Sequence, residues 1–394
     1  MSSSSYSTPV NRPALPCPPR LLTAIIVCAA IAPGILMTAP AVAAQLASEW
    51  RLSPTQIGRL FSTELGAMSL ATLPAWWWIG RMDWRKVAGL AATVFLFANL
   101  ASALTSDFST LLPLRFIASL AGGTLMILCI TCAAGTANPS RVYAGWVLGQ
   151  LLLGTIGLLV LPSLFGYFGL MVVYLILAAL MLCCLPLLVA FPRGFQAPTA
   201  QSATAAPSPL VRLGALLAVL CFYISLSAVW TFIGNIGINA GLSAIHNGQV
   251  LAAATVFGIV GAATAALAGG MRRRLLMTLG YLLLTVSIAL LLNTPALLRF
   301  AAAAVMFKFT WTFVLPFILA QVAELDNNGK LMNGINLVIG GGMAIGPLLA
   351  GYLLQTSGGF GALLGAALAC ALLSLLLISL TSPRTTRPVT GVER

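Results

Sequence analysis

Apolar residues in this chain neither alternate nor recur as a single helical stripe. They run in long blocks broken by short polar stretches. Twelve blocks are long enough to cross a bilayer, since roughly 20 helical residues span a hydrocarbon core of about 30 Å. They cover 21–44, 54–79, 87–105, 109–134, 142–165 and 168–191, then 212–234, 246–270, 275–293, 296–322, 331–355 and 360–381. Strand-type alternation is absent, so the blocks predict helices and not a barrel. The expected fold is an all-α membrane protein of twelve transmembrane helices. The expected organisation is a disordered tail over 1–20, a six-helix bundle over 21–191, a Pro/Ala/Ser/Thr linker over 192–211, a second six-helix bundle over 212–381 and a tail over 382–394.

The polar punctuation is itself patterned. Leu-Ser-Pro-Thr-Gln-Ile-Gly at 52–58 is echoed by Leu-Ser-Ala-Ile-His-Asn-Gly at 242–248, each after the first block of its half. Leu-Arg-Phe at 114–116 returns at 298–300. Two related halves in one membrane chain are the plan of a secondary transporter with its site where the halves meet. Ser53, Pro54 and Gln56 have capping-box spacing and start the second helix. Trp76, Trp77 and Trp78 mark its other end, because indoles prefer the membrane interface. His246 matches Gln56 in the repeat and reads as a cap. Gly58, Ser62 and Gly66, and Gly342, Gly346 and Gly351, form small-residue stripes that let helices approach closely.

Composition agrees: 60% of residues are hydrophobic, 7% are charged and mean hydropathy is +1.02. A soluble domain carries about 25% charged residues. The net charge of +13 would suggest nucleic acid in a soluble protein. Here it is dispersed over short loops, and with both termini placed in the cytoplasm, 15 of the 20 basic residues fall inside. No nucleic-acid partner is expected. The eight cysteines make no disulfide framework, and Cys129 and Cys132 read as packing residues of an apolar helix. Residues 21–44 are read as a retained span and not as a signal peptide.

Charge inside a span is costly and marks function or pairing. Glu64 lies five residues past Arg59, about 8 Å deeper, and Arg115 reaches a similar depth on the fourth span. They can form a permanent brace between helices or a proton-coupling pair. Lys308 lies nine residues past Arg299, roughly 14 Å deeper and near the midplane. With Trp311 and Thr312 on its own helix, and Tyr223, Trp230 and Asn235 on the seventh, it is the candidate substrate site. An ammonium there suits an anionic group.

Twelve helices as six plus six, a central linker and basic loops after the second and eighth helices resemble the major facilitator superfamily over about 21–381. Gly342-Met-Ala-Ile-Gly346-Pro347-Leu-Leu-Ala-Gly351 is similar to the family's antiporter motif, although on the eleventh helix and not the fifth. Gly80-Arg81-Met82-Asp83-Trp84-Arg85-Lys86 resembles a degenerate form of its basic inner loop. The resemblance implies alternating access, with Asp83, Arg85, Asp326, Lys330, Gly346 and Pro347 as gating candidates. The expected protein is not an enzyme and needs no cofactor or metal. It is read as a monomer in a bacterial inner membrane, both termini cytoplasmic, with a small solute and protons as partners. The preferred solute is an organic anion. The alternative is a proton-antiport exporter of lipophilic drugs or toxic metabolites.

Overall fold

The computed structural model describes residues 15, 17–193, 208–268, 273–325, 330–357 and 359–381, with the backbone alone for 330–333. The first predicted span is three helices in series, α1 (Pro19–Ile31), α2 (Gly34–Met37) and α3 (Ala39–Ser48). The second is α4 (Pro54–Leu70) and α5 (Thr72–Trp78). Then come α6 (Trp84–Leu104), α7 (Phe108–Gly135), α8 (Pro139–Phe168) and α9 (Met171–Cys184), the last extended by a 3₁₀ segment, Leu185–Ala190. The second half holds α10 (Pro209–Asn239), α11 (Ala244–Ala268), α12 (Arg273–Ala289), α13 (Leu297–Glu324), α14 (Lys330–Ser357) and α15 (Phe360–Leu380). Nine of these twelve stretches are continuous, long and apolar enough to cross a membrane.

The other three differ from the sequence expectation for local reasons. A proline removes the N–H that would bond the carbonyl four residues earlier, and its ring crowds that carbonyl. Pro33 and Pro40 do this to Ala29 and Leu36, so the first span bends twice. Pro74 does it to Leu70, where α4 gives way to α5. The ninth span is described only from residue 273 and is 17 residues long there. The tail expected over 1–20 is tied at Leu15, whose N–H donates to the Gly135 carbonyl at 2.8 Å. The linker expected at 192–211 lies mostly outside the described residues, and α10 begins three residues before its expected start.

The repeat seen in the sequence reappears in the packing. In the first half α1 packs on α8, α4 on α7, and α6 on both α7 and α9. In the second half α10 packs on α14, α11 on α13, and α12 on both α13 and α15. These are the same pairs, six spans on. Across the halves α4 meets α14, α8 meets α11, and α3 meets α10. The first two of these contacts exchange under the repeat and the third maps onto itself. That is two-fold pseudosymmetry about an axis between the bundles.

The echoed loops build the same start on α4 and α11. The Ser53 hydroxyl accepts from the Gln56 N–H at 3.3 Å, and the Gln56 side chain accepts from the Ser53 N–H at 2.9 Å. The Ser243 hydroxyl accepts from the His246 N–H at 3.2 Å and lies 2.9 Å from its Nδ1. Ser53→Ala is expected to cost about 1 kcal/mol, seen as a lower thermal midpoint in detergent. An unchanged midpoint would mean the cap contributes nothing.

Candidate functional site

A cavity of about 400 Å³ lies between the halves. Its deep wall is Lys308, Trp311, Tyr223, Leu36 and Leu65. It extends toward the end of the bundle that carries Thr72, Ile130, Trp146, Leu319 and Asn336. Apolar and aromatic groups dominate, with a few polar ones, as a small-molecule site requires.

Lys308 is 3% exposed. Its Nζ stands 3.8 Å from the centroid of Trp230 and 4.7 Å from that of Trp311, and the two indoles meet edge to face. Among the described residues the ion pairs are Glu64–Arg115 and Arg273–Glu324, so no carboxylate neutralises this ammonium. Ring faces attract a cation but leave its N–H groups free for an anion. Trp311 and Tyr223 line the cavity, whereas Trp230, fully buried behind the Lys308 ammonium, is not among the lining residues. Thr312 lines it too, yet its hydroxyl donates to the Gly258 carbonyl at 2.6 Å and ties α13 to α11. Asn235 is not among the lining residues; it sits twelve residues beyond Tyr223, with Oδ1 buried and unpartnered.

Glu64 and Arg115 meet. Arg115 Nε donates to Glu64 Oε1 at 2.6 Å, and both residues are buried. The approach depends on Gly123, two turns after Arg115, where a Cβ would overlap the Met68 carbonyl on α4. Arg115 also donates to Asn99 Oδ1 at 2.8 Å and lies 4.7 Å over the ring of Tyr174, whose hydroxyl has no partner. A second cavity, with about 10 Å³ of room, borders the pair. That is close to the space one water needs. Pro33, Leu36, Leu65 and Met68 form the partition between it and the central cavity.

At the opposite end from the cavity mouth the halves meet in close backbone contact. A Cβ on Gly58 would overlap the Pro347 carbonyl, and one on Gly351 would overlap that of Pro54. Across the pseudo-axis, a Cβ on Gly248 would overlap the Leu158 carbonyl and stand 2.7 Å from Pro162 Cγ. Gly58 and Gly248 are the last residues of the two echoed heptapeptides. Gly346 faces its own half instead, against Ile224 and Ser227 of α10.

The loop candidates serve local structure. Asp83 caps α6, accepting from the Arg85 N–H at 2.9 Å. Arg85 Nε donates to the Phe191 carbonyl, within the same half. Asp326 lies outside the described residues, and only the backbone of Lys330 is described, as the first residue of α14. The ion pair found nearby is Arg273–Glu324, which joins α12 to α13. Of the three tryptophans at 76–78, two are exposed and Trp78 is buried.

Sequence reasoning missed Asn99, Ser102, Tyr174 and Gln150. Asn99 and Ser102 lie one turn apart on α6, a detectable polar patch in an apolar helix. Gln150 Nε2 donates to the Ala29 carbonyl at 2.9 Å, the carbonyl that Pro33 leaves without a helix donor.

A family model described as Major Facilitator Superfamily matches residues 23–328. No curated protein matches the sequence. Among solved structures, a crystal structure of a mutant of the nucleoside transporter NupG superposes with a TM-score of 0.66. It is 13% identical, and the match covers 91% of this chain and 98% of that one. At that identity the likeness shows the fold alone.

Proposed function

Because the chain belongs to the major facilitator superfamily, and is thus a multi-pass membrane transporter and not an enzyme, we propose that it carries a small organic anion in exchange or symport with protons. The observation that carries this reading is the Lys308 ammonium, held by two indoles in the inter-half cavity with no carboxylate beside it. The acid group of the solute bonds Lys308, and its apolar body rests on Trp311, Leu36 and Leu65. Glu64, beside Arg115, takes up and releases the coupling proton as its surroundings change. Arg81, Arg85, Lys86 and Arg141 lie in the loop and first helical turns at the end of the bundle toward which the cavity extends. The positive-inside bias therefore supports a cytoplasmic mouth and a structure open inward. The division into bundles at 21–191 and 212–381, with a linker at 192–211, fits rocking of one half on the other.

The apolar lining also suits the second reading, a lipophilic exporter, and Lys308 separates the two. Lys308→Ala removes a charge-assisted contact worth about 1.5–3 kcal/mol, so carboxylate affinity in proton-independent counterflow is expected to fall roughly 10- to 160-fold. Unchanged affinity would refute the site. Transport of lipophilic cations unaffected by the substitution would favour the exporter.

A further inference from the structure

Pro40 has no N–H, so the carbonyl of Leu36 lacks its regular donor four residues on and is left with the Thr38 N–H, which the Gly34 carbonyl shares. The indole of Trp230, on the other half, supplies one: Nε1 donates to the Leu36 carbonyl at 2.9 Å, fully buried. The same ring carries the Lys308 ammonium on its face. Leu36 belongs to the single-turn helix α2, hinged by Pro33 before it and by Thr38 and Pro40 after it. Pro33 and Leu36 line both the central cavity and the small cavity beside Glu64 and Arg115. One side chain thus touches the candidate anion site with its face and holds, with its edge, the wall of the candidate proton site.

We propose that Trp230 is the positioning residue that couples the two sites, transmitting occupancy of Lys308 through its bond to the Leu36 carbonyl into the α2 turn that bounds the Glu64–Arg115 cavity. The proposal rests on the transport reading above. When an anion draws the ammonium from the ring, the indole is free to shift, and the carbonyl it caps must follow or lose that bond and keep only the shared Thr38 N–H. Losing one such hydrogen bond costs about 0.5–1.5 kcal/mol, enough to bias a two-state turn. Gln150 caps the matching carbonyl of Ala29 and lines the central cavity, but no contact joins it to Lys308, so it steadies the first hinge without a link to the ammonium.

Two substitutions break the link from opposite sides. Trp230→Phe keeps an aromatic face and loses the N–H. Pro40→Ala restores a backbone donor to Leu36 and makes the indole redundant. The first readout needs no transport: labelling of Glu64 in purified protein by a lipophilic carbodiimide, followed by mass spectrometry. Trp230→Phe is expected to change the labelling rate about fivefold or more, the scale of one lost hydrogen bond. Trp84→Phe, which also loses an indole bond to a backbone carbonyl, that of Ile79, but lines neither cavity, should not change it. Equal rates in the unaltered protein and Trp230→Phe would overturn the link.

The second readout is the ratio of protons to solute moved in proteoliposomes. It is expected to fall about tenfold in both variants. A mere loss of solute binding or of folded protein lowers both fluxes together and keeps the ratio, which would overturn the link and leave the transport reading standing. If the unaltered protein moves no protons with any solute, the transport reading fails, and the labelling result still decides whether Trp230 controls the Glu64 cavity.

Discussion

Glu64→Gln is expected to abolish proton-driven accumulation while solute counterflow, which needs no net proton movement, persists. The amide is nearly isosteric and still accepts from Arg115 Nε, so the 2.6 Å contact has a neutral replacement. What disappears is the one buried carboxyl group among the described residues, the group that carries the coupling proton in this account. Breaking a buried ion pair by deleting one partner typically costs about 3–5 kcal/mol. Here part of that cost is offset, because Asn99 Oδ1 and the Tyr174 ring still hold the guanidinium. The variant is therefore expected to fold, checked by its thermal midpoint, and to have lost coupling. Full proton-driven transport in Glu64→Gln would make the pair a permanent brace.

Gly58→Ala and Gly248→Ala are each expected to disable the closed seam. Neither clash can be relieved by a rotamer, because the added Cβ meets backbone carbonyls of Pro347 and Leu158. Overpacking of this kind costs about 1–3 kcal/mol, roughly a 5- to 160-fold shift away from the conformation closed at that end. The two sites are related by the pseudo-axis, so the two variants should behave alike. A cysteine placed at Thr55, whose N–H bonds Gln355 across the seam at 3.2 Å, should react faster with an impermeant maleimide in both variants, and transport should fall. Unchanged reactivity would show that the seam closes by other contacts.

Much of the fold was legible because lipid imposes a simple rule: backbone groups must be satisfied within each span. Block length therefore revealed the spans, and the echo at 52–58 and 242–248 marked the halves. The breaks in the first span were also written in the sequence, at Pro33 and Pro40. Their consequence was not, because it depends on which distant side chain, Trp230 or Gln150, reaches the orphaned carbonyl. The charged residues Glu64, Arg115 and Lys308 stood out by cost alone. Their partners stood out less: Trp230 was read only as a residue of the solute site, and Tyr174 looks like any apolar core residue until geometry places a cation over its ring. Asn235 misled for the converse reason, since a polar residue on a cavity helix need not lie at the depth of the cavity. Asp83 and Arg85 were read for charge, whereas capping and a carbonyl contact use them locally.

The most direct test of the central claim is solute-induced proton flux in proteoliposomes, with small carboxylates set against lipophilic cations and Lys308→Ala alongside. The predicted result is proton movement with carboxylates that bear an apolar body, lost in Lys308→Ala. Proton movement only with lipophilic cations, and undiminished in Lys308→Ala, would contradict it and leave Lys308 as a residue of structure.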